Sequence, residues 1–218
     1  MQSIARNYKR RKKSNQSIDL DSWLVLSESK SIIERISSDH YSKAYPILIS
    51  FFDNIASNLT WDNLIVGLHA IYGWMPTIPK LKRIMSWDDE KKTHFLKTLS
   101  NVLNSKDSTE QEWKILVEFT NNSAVGASKL LHFLSPEDFP IWDSRTARAF
   151  FNKSKISHYQ INNTKNLKSY SIKLREWKNS PLVTIRCSEI RNQAYFLSKV
   201  SSLRIVELVL FHKTKSRK

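Results

Sequence analysis

The sequence predicts an all-α protein, a compact bundle of roughly eight to ten short helices. Apolar residues recur at intervals of three and four in one segment after another, which is the period of a helix with one buried face. Residues that favour helix starts precede several of these segments. A sustained alternation of apolar and polar residues, as a half-buried strand would need, is hard to find anywhere in the chain.

The helical period is clearest in a series of segments along the chain. In order, their apolar residues are Ile32, Ile33 and Ile36; Ile47, Leu48, Phe51, Phe52 and Ile55; Leu64, Ile65, Leu68, Ile71 and Tyr72; Phe95, Leu96, Leu99, Val102 and Leu103; Trp113, Leu116 and Val117; and Ala194, Leu197, Val200, Leu203, Val206 and Leu210. Ser108 and Gln111 have the spacing of a capping box ahead of the fifth segment. Residues 152–180 predict a loop followed by a helix.

The positive charge of the chain is concentrated at its two ends. The 218 residues carry a net charge of +15, but residues 1–13 supply six basic side chains and residues 212–218 supply four Lys or Arg, without an acid in either stretch. A net charge of +5 remains for everything between them. We therefore expect a flexible basic arm over residues 1–17, a single all-α domain over 18–211 that is also compatible with two helical lobes, and a basic tail over 212–218.

The basic arm favours a polyanionic partner, most directly DNA, because Lys and Arg side chains that contact phosphates release condensed counterions. The residues concerned are Lys9, Arg10, Arg11, Lys12 and Lys13. A solubilising tail or a targeting signal is the alternative interpretation of this run. No segment has the length and apolarity of a membrane span or secretory signal. We expect a soluble, cytoplasmic monomer, located at the nucleoid or in the nucleus where the DNA lies.

Composition excludes several kinds of chemistry. A lone cysteine, Cys187, cannot form an internal disulfide or a cysteine-rich metal site. The three glycines are too far apart for a glycine-rich phosphate loop. The six histidines show no metal-ligand spacing, and His69 and His132 lie in apolar helices where a hydrogen-bonded core histidine is expected. We therefore expect no metal and no cofactor.

Residues 123–148 carry the pattern that is most informative about chemistry. They predict a tight turn at Gly126 and then a short apolar helix. Pro136 and Pro140 indicate an extended segment that crosses from this helix to the next, which we call the crossing. Asp143 follows it and begins a new helix. A carboxylate at that position accepts backbone N–H bonds and complements the helix dipole, so Asp143 is predicted to be an N-cap.

This arrangement resembles the core of the helix-hairpin-helix superfamily of DNA glycosylases. In that family a Val-Gly turn leads into a helix, and a proline-punctuated crossing delivers an aspartate to the start of the next helix, which carries an arginine about one turn later. Val125, Gly126, Pro140, Asp143 and Arg148 occupy those positions here. The resemblance implies a glycosylase-like fold and excision of a damaged or modified base from DNA by hydrolysis of its N-glycosidic bond.

The resemblance also suggests roles for individual residues. Asp143 would stabilise the positive charge that develops on the sugar and orient the attacking water; an ordinary N-cap is the alternative. Lys129 is the candidate for the nucleophilic lysine of the bifunctional members, but its spacing to Asp143 is shorter than the family's. We therefore interpret it as solvated or phosphate-contacting and do not expect lyase activity. The residues expected to contact the DNA backbone are Val125, Gly126, Ser128, Arg145 and Arg148.

Aromatic residues are candidates for the wall of a base pocket. We assign this role to Trp142, Tyr72 and Trp74, although Tyr72 and Trp74 are equally compatible with packing between two helices. Arg204 and Glu207 have the spacing of a pair on a helix surface. Two other functions stay open: a nucleic-acid-binding protein without catalytic activity, and a defence-associated interaction module whose basic arms serve localisation.

Overall fold

The computed structural model describes residues 17–74 and 78–214, and this part of the chain is helical without a strand. The all-α prediction is confirmed. The described residues form thirteen α-helices. They are α1 Leu20–Ser27, α2 Lys30–Ser38, α3 His40–Ser57, α4 Trp61–Trp74, α5 Leu81–Met85, α6 Asp89–Ser105, α7 Glu110–Phe119, α8 Ala124–Leu134, α9 Ser144–Phe150, α10 His158–Asn162, α11 Thr164–Lys178, α12 Pro181–Arg191 and α13 Ser202–Lys213, with a 3-10 helix, Tyr195–Leu197, before α13.

The prediction of eight to ten helices is too low. Helices α5 and α10 have five residues each, which is too short for a helical period to be visible in the sequence. The last predicted segment is also divided, because Ser201 caps α13 by accepting a hydrogen bond from the Arg204 backbone N–H at 3.0 Å. None of the described helices is long and apolar enough to cross a membrane.

Residues 1–16 of the predicted basic arm, with Lys9, Arg10, Arg11, Lys12 and Lys13, lie outside the described residues, as do residues 215–218 of the tail. The part of the tail that is described does not leave the domain. Helix α13 continues to Lys213, and its His212 is buried.

Two helices are buried along almost their whole length and organise the rest. In α8 every residue from 126 to 134 is buried, and α3, α4, α7 and α10 pack around it. In α13 every residue from 203 to 210 is buried, and α1, α2, α9, α11 and α12 pack around it. A helix that is buried on all sides belongs to the core. The two central helices therefore position any site that lies between them.

The tight turn before α8 lies at Asn121 and Asn122 and not at Gly126, as the sequence predicted. Both asparagines have positive φ angles, 58° and 56°, which asparagine tolerates better than most residues. The Asn121 side chain holds the turn against the preceding loop: its oxygen accepts from the Lys80 backbone N–H at 2.8 Å, and its amide donates to the Ile78 carbonyl at 3.2 Å.

Gly126 lies instead in the first turn of α8, where it permits a close approach of neighbouring elements. A Cβ atom there would lie 2.9 Å from the Thr120 Cβ, 3.2 Å from the Thr120 carbonyl oxygen and 3.0 Å from the Tyr72 hydroxyl. Because the Thr120 atoms belong to or adjoin the backbone, they cannot move aside without shifting the end of α7. The glycine is required by packing rather than by backbone conformation.

We predict that Gly126→Ala lowers the free energy of unfolding by about 1–3 kcal/mol, the usual cost of overpacking. Gly73→Ala is the matched control, because a Cβ there meets nothing within 4 Å. It should leave stability unchanged or raise it by up to about 1 kcal/mol, since alanine favours a helix. Urea denaturation of the two variants and the parent protein measures both effects. Equal stability of the two variants would contradict this explanation of Gly126.

Candidate functional site

A pocket of about 260 Å³ opens between the two central helices. Lys129 of α8 and Arg204 and Glu207 of α13 line it, together with Trp74 at the end of α4 and Asp143 at the start of α9. The fold thus brings four of the residues proposed from the sequence to one concave site: Asp143, Lys129, Trp74 and Arg145.

Asp143 caps α9 with one carboxylate oxygen only. Its Oδ1 accepts hydrogen bonds from the backbone N–H groups of Arg145 and Thr146, both at 2.8 Å, while the Thr146 hydroxyl accepts from the Asp143 backbone N–H at 2.8 Å. The predicted N-cap is confirmed. Among the described residues, none donates a hydrogen bond to the second oxygen, Oδ2. The cap therefore fixes the carboxylate in one orientation and leaves one oxygen free on a side chain that lines the pocket.

Lys129 is buried, so its interpretation as a solvated lysine is wrong. Its side chain leaves the apolar helix α8 with 8% of its surface exposed, and the ammonium lies over the Trp74 ring, 4.9 Å from the centroid. No described residue forms a hydrogen bond or ion pair with it. Burial lowers the pKa of Lys129 to about 8; the negative charge of Asp143 opposes this shift and the positive charge of Arg204 adds to it. A substantial fraction of this amine is thus neutral in mildly alkaline solution.

Trp74 forms an aromatic wall that two cations approach. The Arg204 guanidinium lies 5.6 Å from its ring centroid, in addition to Lys129. The indole N–H donates to the Tyr41 carbonyl at 3.4 Å, and the Tyr41 ring meets the indole edge to face at 6.2 Å. These contacts hold the ring at the pocket wall, where it offers a flat apolar surface to a ligand.

The other two predicted pocket aromatics lie in the core. Trp142 is fully buried, and its indole N–H donates to the Ile161 carbonyl at 2.7 Å. Successive side chains of an extended segment point to opposite sides, so with Asp143 facing the pocket Trp142 points away from it. Tyr72 is 3% exposed and covers Gly126. Its hydroxyl finds no hydrogen-bond partner within the described part of the chain. Neither residue lines the pocket.

Two of the groups predicted to hold a phosphate at the hairpin, the Gly126 backbone N–H and the Ser128 hydroxyl, are already used in hydrogen bonds. The Gly126 backbone N–H donates to the Ser123 hydroxyl at 3.1 Å, because Ser123 caps α8. The buried Ser128 hydroxyl donates to the Val125 carbonyl at 2.9 Å and accepts from the Trp142 backbone N–H at 3.1 Å. Ser128 therefore ties α8 to the crossing that precedes Asp143, and its assignment to DNA contact is corrected. Val125 is half-buried in the first turn of α8.

The two predicted arginines differ in their surroundings. Arg145 lines the pocket; its guanidinium stacks 3.8 Å from the Phe211 ring centroid and donates to the Thr214 carbonyl at 3.0 Å. Arg148 points along α9 and donates to the Ser144 carbonyl at 3.2 Å. Arg145 thus contributes to the site directly, whereas Arg148 is half-buried on the helix beside it.

Arg204 and Glu207 are the functional candidates that the sequence interpretation placed wrongly. They form an ion pair, but the pair is buried in the core and lines the pocket instead of lying on a helix surface. Burial lowers the pKa of Arg204, the adjacent Glu207 carboxylate raises it, and the net shift is upward. Burial raises the pKa of Glu207 to about 7, against the opposing effect of Arg204. The sequence does carry a signal of this burial, because apolar residues surround the pair at 203–210 on every side of the helix.

A neutral histidine, His132, is linked to the ion pair through Tyr45. The Tyr45 ring lies 5.0 Å from the Arg204 guanidinium, and its hydroxyl donates to His132 Nε2 at 2.7 Å. His132 Nδ1–H donates in turn to the Phe139 carbonyl at 2.6 Å, which fixes the tautomer. Burial and the nearby Arg204 lower the pKa of His132 to about 3. His132 is therefore the hydrogen-bonded core histidine that the sequence predicts.

No group of three or more His, Cys, Asp or Glu side chains within residues 17–74 and 78–214 is arranged to hold a metal ion. No protein-family model, curated protein or solved structure matches the chain. What the fold assembles is an oriented carboxylate, a buried amine and a buried guanidinium–carboxylate pair around one aromatic wall.

Proposed function

We propose that this protein is a DNA glycosylase that removes a base from a nucleotide extruded into the pocket. The observation that carries the proposal is the Asp143 carboxylate, which is fixed by its capping bonds and keeps Oδ2 free of hydrogen bonds from the described residues, in a pocket that Trp74 also lines. The hairpin at residues 121–122, helix α8, the crossing and the aspartate at the start of α9 follow one another as in the helix-hairpin-helix glycosylases that the sequence resembles.

The proposed reaction needs a fixed negative charge and a place for a flat base. Cleavage of an N-glycosidic bond develops positive charge on the sugar, and an oriented carboxylate stabilises that charge without reorganising. The base leaves with the bonding electron pair and takes up a proton, and water adds to C1′. Enzymes of this kind flip the nucleotide out of the duplex and stack the base on aromatic side chains. Asp143 and Trp74 would supply these two functions.

The basic surface of the described residues supports DNA as the partner. A groove of about 1080 Å³ beside α1 and the segment after α9 is lined by four lysines and two aspartates, Lys153, Lys155, Lys173, Lys213, Asp19 and Asp21. Lysines outnumber acidic side chains in the lining of this groove, which favours a polyanionic ligand.

We predict that Asp143→Asn lowers the rate at which abasic sites form by about 10²–10⁴-fold. Asparagine also caps helices well, so the fold should be preserved while the charge is lost. The assay incubates the protein with duplexes that carry different modified bases and reveals abasic sites by alkaline strand cleavage.

The matched control is Asp88→Asn, which changes another capping aspartate, at the start of α6 and away from the pocket. It should keep the parent rate. Equal activity of Asp143→Asn and Asp88→Asn, or no strand break on any modified duplex, would overturn the proposed function and favour a non-enzymatic nucleic-acid-binding protein.

The position of Lys129 favours a second route through an amine nucleophile. A desolvated lysine beside another cation is a recognised nucleophile, and Lys129 lies in the same pocket as Asp143 and Arg204. Its Nζ lone pair would displace the base at C1′; the base leaves with the bonding electron pair and takes up the proton that the amine loses. Opening of the sugar ring would give an imine, and loss of a C2′ proton from this imine would expel the 3′-phosphate and cleave the strand. Lyase activity, which the sequence spacing did not lead us to expect, is thus a second candidate function.

We predict that borohydride traps this imine as a stable amine that joins protein and DNA. Because the pKa of Lys129 is lowered to about 8, the initial trapping rate should rise about tenfold per pH unit up to pH 8 and level off above it. Lys129→Gln should abolish the adduct, while Lys168→Gln, at an exposed ion pair with Asp107, should keep it. Abasic-site formation without any adduct would show that water is the nucleophile.

A further inference from the structure

The buried pair at the base of the pocket has unused hydrogen-bonding capacity. Arg204 is 4% exposed and Glu207 is fully buried, and both line the pocket. Within the described residues the guanidinium hydrogen-bonds only through Nη1, which donates to both Glu207 oxygens. Its Nε is completely buried and finds no partner among these residues. Its Nη2 makes no hydrogen bond with these residues either but is not completely buried, so Nη2 is the donor that a ligand in the pocket can reach and complete.

Charge limits what that ligand can be. An anion at Arg204 would meet the carboxylates of Glu207 and Asp143, which line the same pocket. A cation at Glu207 would meet Arg204 and Lys129. A neutral group that presents an acceptor beside a donor satisfies both members of the pair. The flat Trp74 ring on the adjoining wall favours a planar group of this kind.

We propose that Arg204 and Glu207 form a specificity site that recognises the cyclic-amide edge of the extruded base, a ring C=O next to a ring N–H. Arg204 donates to the carbonyl oxygen, and Glu207 accepts from the ring N–H. This inference rests on the proposed function, since it identifies the class of base that the pocket takes. The substrates are then guanine, thymine, uracil or hypoxanthine and their modified forms.

Adenine and cytosine are rejected by the same arrangement. Both present an amino group next to an unprotonated ring nitrogen, so a donor faces the guanidinium and an acceptor faces the carboxylate. Buried polar groups left unpaired in this way produce strong discrimination.

The test measures binding separately from cleavage. The Asp143→Asn protein is titrated at pH 8 with duplexes that are identical except for one nucleotide, which carries hypoxanthine, uracil, adenine or cytosine opposite an abasic-site analogue, and fluorescence anisotropy gives each affinity. The analogue removes the base pair, so the cost of extrusion is similar in all four. Hypoxanthine and uracil should bind at least about tenfold more tightly than adenine and cytosine. Equal affinities, or the reverse order, would overturn the inference.

Glu207→Gln tests the residue itself in the same background. Its amide oxygen accepts from Arg204, and its NH₂ group then faces the ligand where the wild type has an acceptor. The preference for hypoxanthine and uracil should fall below about twofold or reverse. The matched control is Glu189→Gln, since Glu189 forms an ion pair of the same spacing with Arg186 at the surface of α12. It should keep the full preference, and loss of preference in both variants would contradict the assignment.

Further measurements distinguish a failure of the specificity site from a failure of the proposed reaction. If thermal melting shows that Glu207→Gln is unfolded, Arg204→Lys, which keeps the charge but removes the planar set of donors, should lose the preference. The four-duplex series decides the question even if neither variant folds. A clear preference in a protein that cleaves no base would support the specificity site and overturn the proposed reaction. Cleavage without any preference would support the reaction and overturn the specificity site.

Discussion

The burial of charged groups between two apolar helices is the constraint on which the rest of the structure depends. Lys129 lies on α8, and Arg204 and Glu207 lie on α13, yet each of these helices is buried along almost its whole length. Charges in such a position need partners or access to a ligand. Here the guanidinium and carboxylate pair with each other, and the ammonium lies on the Trp74 ring. The pocket is the space that remains where these groups converge.

The crossing between α8 and α9 positions the aspartate at this pocket. Three buried side chains hold its backbone: Ser128 bonds to Trp142, His132 donates to the Phe139 carbonyl, and the Tyr170 hydroxyl donates to the Ile141 carbonyl at 3.0 Å. Because these anchors come from α8 and α11, the start of α9 has one position relative to Lys129. The Asp143 carboxylate is oriented by α9 itself. Preorganisation of this kind is what electrostatic catalysis requires.

Some local signals in the sequence predicted structure that depends on neighbouring residues, and others did not: the capping box before α7 is formed by Thr109 and Glu112, not by Ser108 and Gln111. The all-α class follows from the apolar period, and Asp143 was identified as a cap because capping involves only the next three residues. Placing Arg204 and Glu207 in the core depended on what packs around α13, which the i, i+3 spacing does not indicate.

Other predictions depended on geometry that the sequence leaves open. Trp142 follows Ile141 and precedes Asp143, but which side of the crossing faces the pocket is decided by the packing of Trp142 against Tyr170. The turn was assigned to Gly126, whereas Asn121 and Asn122 adopt the positive φ angles and the glycine serves a close contact with Thr120. The presence of a glycine in the sequence does not show whether it is needed for a positive φ angle or for a close contact.

The central claim is that the pocket holds an extruded nucleotide beside Asp143. A crystal structure of the protein with a duplex that carries a modified base on a non-cleavable 2′-fluoroarabino sugar tests it most directly. We predict that the base lies against the Trp74 ring and that Asp143 Oδ2 faces C1′, either directly or through one bridging water. A nucleotide that stays stacked in the duplex, with the pocket turned away from the DNA, would contradict the account.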